Sequence, residues 1–588
     1  MRRLLRLVPY ALSVLVVLGL AACGVGATDR PVDEGDAAVG GSANPARHPP
    51  EPDEASSFEE LVRYFLQASA GGSAQANERV KRYLTGEALA TWVDPPAEEP
   101  LSLVRIVGSP TPGVLVSGQG TPVTVTYELI GSLNDQGRVN EIAQLEQRTL
   151  TFWVVTPEGE LNFRIGKIDG WPPGQLLLSH EGLLEYYDIQ PIYFWDTGYT
   201  TLVPDLRYLP RALSDVQKWS RRLTWLTAGP SPWLAPGVHA LPVGTSSEPV
   251  EPAENGTLQV RLSAAAAALA TDPEAARRLL FQLQWSLSTG DADPPIEIFI
   301  EDQPIPIAAD PTAYRSFLHS WTYRREPKRY NITANGVVEA IAPNTLPADL
   351  SATPPEWEVL AAALTTEPTV GAYVVEDQFG RYALQILANG QIRSVDLPQP
   401  STGEPGRPSF VPGTDFLLVP TGGPDGRLVS VSITTGATAD ASNRLLGVTD
   451  AVVSPDGRRV AIIADGEVYV APLIVTANSV TVSSTTNRQL LAGRLTATAV
   501  TWTSDSWLLV AGTRDGGQPT LWRVTADSVV AQDVYGDLGI PPLRIFDLVS
   551  WPAWTVARAE VLAVTDLGVY RFFNRFSPEP SLTAPFFG

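Results

Sequence analysis

Apolar positions change their period along the chain, and each change marks a different unit. In FEELVRYFLQAS, Phe58, Leu61, Val62, Phe65 and Leu66 recur at helical spacing, which predicts an amphipathic helix. NERVKRYLTGEALATW continues as a second helical segment broken at Gly86. The period then falls to two. TPVTVTYELIG sets Val123, Val125, Tyr127 and Leu129 on one face, and QRTLTFWVVTPEGELNFRIGKIDG reads as two more strands around a Pro-Glu-Gly turn. Helices followed by antiparallel strands predict an α+β unit over 58–180.

Residues 181–330 mix the two periods. IQPIYFWDTGYTTLVPDLRYLP reads as strand, turn at Asp196–Gly198, strand. SDVQKWSRRLTWLTAG reads as a helix with Ser214 as N-cap, Val216, Trp219, Leu223 and Leu226 as its buried face and Gly229 as its stop. A strand in GTLQVRLS, a buried or amphipathic helix in LSAAAAALA, a helix through EAARRLLFQLQWSLS and the strand PIEIFIEDQPI follow, an α/β pattern. Over 331–588 a strand–turn–strand unit recurs about every 40–50 residues, the range of propeller blades. Its clearest member is AVVSPDGRRVAIIADGEVYVAPL, where Ser454-Pro455-Asp456-Gly457 predicts a turn and Asp465-Gly466 a hairpin. About five blades are recognisable, and degenerate ones at the ends can add more.

The N-terminus differs from all of these. Arg2, Arg3 and Arg6 precede an apolar stretch from Leu7 to Leu20, followed by Ala21, Ala22 and Cys23, the single cysteine of the chain. A basic start, a short apolar run and small residues make a secretory signal over 1–22. The run is shorter than the roughly 20 residues a spanning helix needs. Leu20-Ala21-Ala22-Cys23 resembles the bacterial lipobox, in which the thiol of Cys23 takes a diacylglycerol and cleavage falls just before it. Two long acyl chains would hold the protein to a membrane by on the order of 20 kcal/mol. Residues 23–57 then lack apolar period and are rich in Gly, Pro and carboxylates, which predicts a disordered tether.

A formal net charge of −22 makes nucleic acid a poor partner for the surface as a whole. With one cysteine, stability must come from packed cores and not from disulfides. Catalytic grammar is missing: there is no G-x-S-x-G, H-E-x-x-H, P-loop or paired-cysteine site, and no cofactor or metal is implied. The histidines His48, His180, His239 and His319 are scattered, and Asp291 and Asp293 read as an acidic loop. One local patch stands out, SWTYRREPKRYNIT, with Arg324, Arg325, Lys328 and Arg329 interleaved with aromatics. It reads either as a partner contact or as solvated arginines of a linker.

Resemblances follow from these residues. The 58–180 unit resembles the NTF2-like cone. Within 181–330, residues 181–308, ahead of a linker, resemble the GerMN domain of germination and sporulation proteins, through the Tyr193-Phe194 strand, Leu202–Arg207, the Leu-Thr-Ala-Gly-Pro helix end and the Ala240-Leu241-Pro242 step. Signal and lipobox, an α+β domain, a GerMN-like unit and a β-propeller, in a chain with only four lysines, together resemble the LpqB lipoproteins of actinobacteria. That resemblance implies a non-enzymatic, lipid-anchored protein on the extracytoplasmic face of the cell membrane. Its implied partner is the extracellular domain of the sensor kinase MtrB of the MtrA–MtrB system, with effects on cell-wall homeostasis and division. The alternative is a lipoprotein that binds a cell-wall or small-molecule ligand.

Overall fold

The computed structural model describes residues 48–588 except 72, 97–98, 142–145, 160, 289–293, 308–312, 319–325, 352–356, 484–486, 537–542, 554–558 and 574. Cys23 and its neighbours Leu20, Ala21 and Ala22, and also Arg324, Arg325, Asp291 and Asp293, lie outside the described residues.

Ordered packing starts before residue 58. The hydroxyl of Tyr83 donates to the carbonyl of Pro50, and Arg164 pairs with Asp53 at 2.9 Å. The helix Phe58–Gln67 is capped by Ser57, whose Oγ accepts the Glu60 N–H at 3.1 Å. It buries Leu61, Val62, Phe65 and Leu66, the face the spacing predicts. Its partner is a six-stranded sheet with three strands the alternation did not reveal, Leu101–Pro112, Val139–Glu141 and Leu177–Ser179. The first escapes notice because bulges interrupt its pairing after Leu103 and Val107, so its apolar residues lose a constant period. Rings of Phe65, Tyr83, Trp92, Phe152 and Trp171 meet edge-on or tilted between helices and sheet.

The second unit holds the hairpin Tyr187–Asp196 and Leu202–Pro210 beside a small sheet whose central strands, Leu258–Leu262 and Ile296–Ile300, run parallel. The crossover between them is the helix Pro273–Leu287. The helix Asp215–Thr227 has the predicted Ser214 cap, and Gly229 ends it at φ +88°. Its buried face is rotated from expectation. Val216 is exposed, while Arg222, Leu223, Trp225 and Leu226 are buried. Trp225 turns inward because its ring NH donates to the carbonyl of Asp135 in the first unit, a contact no local period encodes. The expected helix at LSAAAAALA shortens to a 3-10 turn and Ala267–Thr271, mostly exposed.

Among the described residues the C-terminal strands form six blades. Five are sheets of consecutive strands, whose innermost members are Trp357–Leu364, Ser409–Phe410, Val448–Val453, Thr496–Trp502 and Ile545–Trp551. The sixth joins the two ends of the region. The last strand, Ala584–Phe587, pairs with Arg329–Ile332, which pairs with Val338–Ala340. Ala584–Phe587 also touches the innermost strands of blades five and one, so it completes the ring. A closed ring protects strand edges that would otherwise template pairing with other chains. The Ser454–Gly457 turn is as expected: the Gly457 N–H donates to the Ser454 carbonyl at 2.8 Å and φ is +73°. A Cβ there would stand 2.9 Å from Cδ of Pro412, so glycine is required twice over.

Candidate binding site and interdomain lock

The S-P-D-G-R-R loop, a turn in the sequence, is a joint between units in the structure. Arg458 extends from blade three to the hairpin of the second unit. Its Nε donates to Oδ2 of Asp196 at 2.8 Å and its Nη2 to the Thr200 hydroxyl at 2.8 Å; both charged side chains are 2% exposed. Burial alone would raise the carboxyl of Asp196. The Arg458 charge, its hydrogen bond and the Thr200 and Thr201 N–H donors outweigh burial and hold it below the usual carboxylate range. The next residue, Arg459, is fully buried, pairs with Asp456 and lies 5.0 Å over the Trp502 ring. One guanidinium of the pair therefore holds the turn and the other holds the neighbouring unit.

Further contacts complete the joint. The Tyr208 hydroxyl donates to Asp527 of blade four at 3.0 Å. Trp507, Val529 and Val530 of the same blade belong to the apolar core of the first unit. Arg138 donates to the carbonyl of Gly229 at 2.5 Å, tying the first unit to the second. Within the second unit, Asp205 and Arg207 of the Leu202–Arg207 segment pair at 2.8 Å and both bond Ser231, which pins the turn after the helix. Three units thus share buried polar contacts and cores, and a fixed relative orientation follows.

His180 sits in this joint. Its Nε2 is 3.2 Å from the carbonyl of Val529, so the neutral ring carries its proton on Nε2. Burial, and secondarily the charge of Arg105, push its pKa down to about 4. Unfolded, the ring titrates near 6.5, so between pH 6.5 and 4 the unfolded chain binds more protons and stability falls with acidification. The loss is about 3 kcal/mol, complete by about pH 4. Asp450 titrates in this range with opposite sign, so the measurement is the difference in urea midpoint between wild type and His180→Gln across pH 4–7. That difference should shrink as pH falls; a constant difference would refute the assignment.

The propeller axis opens as a cup of about 480 Å³, rimmed by Phe410, Trp502, Trp551 and Phe587 with Ser409 and Ser550 between them. Beside it, Asp450 and Asp547 sit on innermost strands and Arg407 just before one. Four of these strands carry a bulge within their first residues, after Val359, Val448, Ala497 and Ile545. Asp450 and Asp547 follow two of the bulges. Arg407 pairs with Asp547 and donates to the carbonyls of Ala362 (3.4 Å) and Pro585 (3.3 Å), linking blades five, one and six. Asp450 accepts the Val500 N–H at 3.1 Å; burial and then the charge of Asp547 raise its pKa to about 7. The cup thus combines an aromatic rim with the Arg407 guanidinium, whose ion-pair partner is Asp547. Among the described residues no group of three or more His, Cys, Asp or Glu side chains is placed to hold a metal ion, and no helix is long and apolar enough to cross a membrane.

The basic patch is divided. Arg329 of the closing blade pairs with Glu560 of blade five at 2.7 Å, so it serves the ring and is not free for a partner. Lys328 is half-buried, and its carbonyl accepts the Gly588 N–H. The Asn331 side chain, part of an N-x-T sequence, is fully buried and bonds Thr583 and Ala584.

Comparison with known proteins follows the same three units. The lipoprotein LpqB N-terminal domain matches residues 49–181, the sporulation and spore germination domain 191–306, and the lipoprotein LpqB beta-propeller domain 362–547. Lipoprotein LpqB of Thermobifida fusca is 28% identical over 39% of this chain and 35% of that one. The Mycobacterium tuberculosis protein of that name is 29% identical over 52% of this chain and 50% of its own. That of Corynebacterium jeikeium is 24% identical over 91% and 89% respectively. The chain thus spans between a third and a half of the first two relatives. A crystal structure of TolB from Acinetobacter baumannii covers 44% of this chain and 66% of its own at 13% identity, with a TM-score of 0.30, too low to carry an argument. With the LpqB N-terminal domain, a germination-type domain and the LpqB propeller domain matched in turn along its folded units, the chain belongs to the LpqB family of lipoproteins.

Proposed function

We propose that this chain is an accessory lipoprotein, anchored through Cys23 on the extracytoplasmic face of the cell membrane, that binds and modulates the sensor kinase MtrB and through it cell-wall homeostasis and division. The observation that carries the reading is the welded joint. A buried ion pair, buried hydrogen bonds and a shared core hold three dissimilar domains in one orientation, and a fixed composite surface suits recognition of a large partner. The kinase itself enters through the family resemblance. Anchoring raises effective concentration, so weak contacts suffice. The aromatic rim of the propeller cup favours one second reading, a carrier of a small or cell-wall ligand.

Two measurements test the proposal together. Cys23→Ser should abolish metabolic fatty-acid labelling; equal label on mutant and parent would remove the anchor. Capture of the full lipidated chain from crosslinked membranes should retrieve the kinase, and much less of it with Cys23→Ser. Capture that never contains the kinase would leave the ligand carrier as the better reading.

A further inference from the structure

The strands Leu101–Pro112 and Thr121–Leu133 make a long hairpin whose tip is apolar and unburied. Val114 is 86% exposed, Leu115 71% and Val116 40%. The tip is shaped by its own backbone, since the N–H of Val116 donates to the Gly120 carbonyl at 2.9 Å and the Gly120 N–H returns the bond at 3.0 Å. Arg105 and Glu128 are the nearest charges in sequence; the 22 residues between them, 106–127, carry none. For a chain of net charge −22, that is a local departure that solubility does not explain.

Strand register places two other features at this end of the sheet. Thr121 pairs with Val154, and Val155 pairs with Arg164, so the loop between Val155 and Arg164 lies beside the tip; its Leu161 is 94% exposed. Arg164 holds Asp53, and Phe163 meets Phe58 edge-on at 4.8 Å. The chain that arrives from Cys23 therefore joins the folded body at the end that carries the apolar tip. Only residues 24–47 separate Cys23 from His48, and 24 residues span at most about 85 Å.

We propose that the Val114–Val116 tip is a second membrane contact: it dips into the interface of the bilayer that holds the lipid on Cys23. This rests on the anchored reading of the preceding section. The gain is removal of apolar side chains from water, and not attraction to anionic headgroups, because Asp53, held by Arg164, and Glu158 of the neighbouring loop lie at the same end. The contact would orient the body on the membrane, which a tether alone does not do.

The test uses the full lipidated chain on phosphatidylcholine vesicles. Acylation of Cys23 leaves Leu115→Cys as the single free thiol, which takes an environment-sensitive nitrobenzoxadiazole label. Leu115 is exposed, so the substitution removes no packing. The chain should float with the vesicles, and the label should shift to the blue and be quenched by nitroxides on the lipid chains. The same label at Phe379→Cys, 74% exposed on blade one, should stay water-like. A chain that floats while both labels behave alike overturns the contact and leaves the anchor standing. A chain that does not float overturns both. A shift that needs an added membrane protein and is absent on lipid alone also overturns the lipid contact, in favour of a protein-docking tip.

Discussion

Arg458→Met should lower the unfolding stability of the chain by about 3 kcal/mol, because it leaves the Asp196 carboxylate buried without its cation. Asp196 keeps the N–H groups of Thr200 and Thr201, at 2.6 and 3.1 Å, which places the loss at the lower end of the range for broken buried pairs. Asp196→Asn should cost a similar amount by stranding the guanidinium. The double variant should lose clearly less than the sum, since neither charge is then buried alone. Urea unfolding of the three variants reads this directly. Because the pair joins blade three to the second unit, each single variant should also split one cooperative transition into two. Strict additivity of the two losses, with a single transition, would show that the joint does not depend on this pair.

Phe586→Ala in the closing strand should cost about 3–5 kcal/mol, the usual penalty for emptying a buried aromatic site. Phe586 is 2% exposed and stacks on the fully buried Tyr330 at 5.5 Å, so its loss leaves a cavity where the two ends of the propeller meet. Asn331→Ala should act at the same seam, for the Asn331 carbonyl oxygen takes the N–H groups of Thr583 and Ala584 at 2.9 and 3.2 Å. Each N–H left unpaired costs roughly 1–3 kcal/mol. Both variants should unfold at lower denaturant and aggregate more readily, since an opened ring exposes the innermost edge of blade one. A midpoint equal to that of the parent for Phe586→Ala would mean that the ring is held shut elsewhere.

The seam also bears on where the propeller begins. A cut after residue 330 would remove Arg329 and Tyr330, and with them the Glu560 ion pair and the Phe586 stack. Any separately expressed propeller should therefore start ahead of Lys328. Likewise the first unit should start at or before Pro49, because Pro50, Glu51 and Asp53 are bonded to Tyr83, Arg82 and Arg164.

What the sequence alone determined is local. The helix Phe58–Gln67, the Ser214 cap, the Gly229 stop and the Ser454–Gly457 turn depend on side-chain period, on a hydroxyl next to free N–H groups, or on the freedom of glycine. Such causes act within a few residues and are legible there. The order of units, and through it the family, was legible for the same reason. What tertiary structure decided acts between residues far apart. A sixth blade made from residues 329–340 and 584–587 has no local signature, because neither piece is a blade alone. Arg329 reads as a surface charge until Glu560 is brought to it. Arg458 reads as one arginine of a turn until Asp196, 262 residues away, meets it without water. In each case the deciding term is desolvation. A charge or an aromatic ring gains its role only from what covers it, and cover is a property of the folded whole.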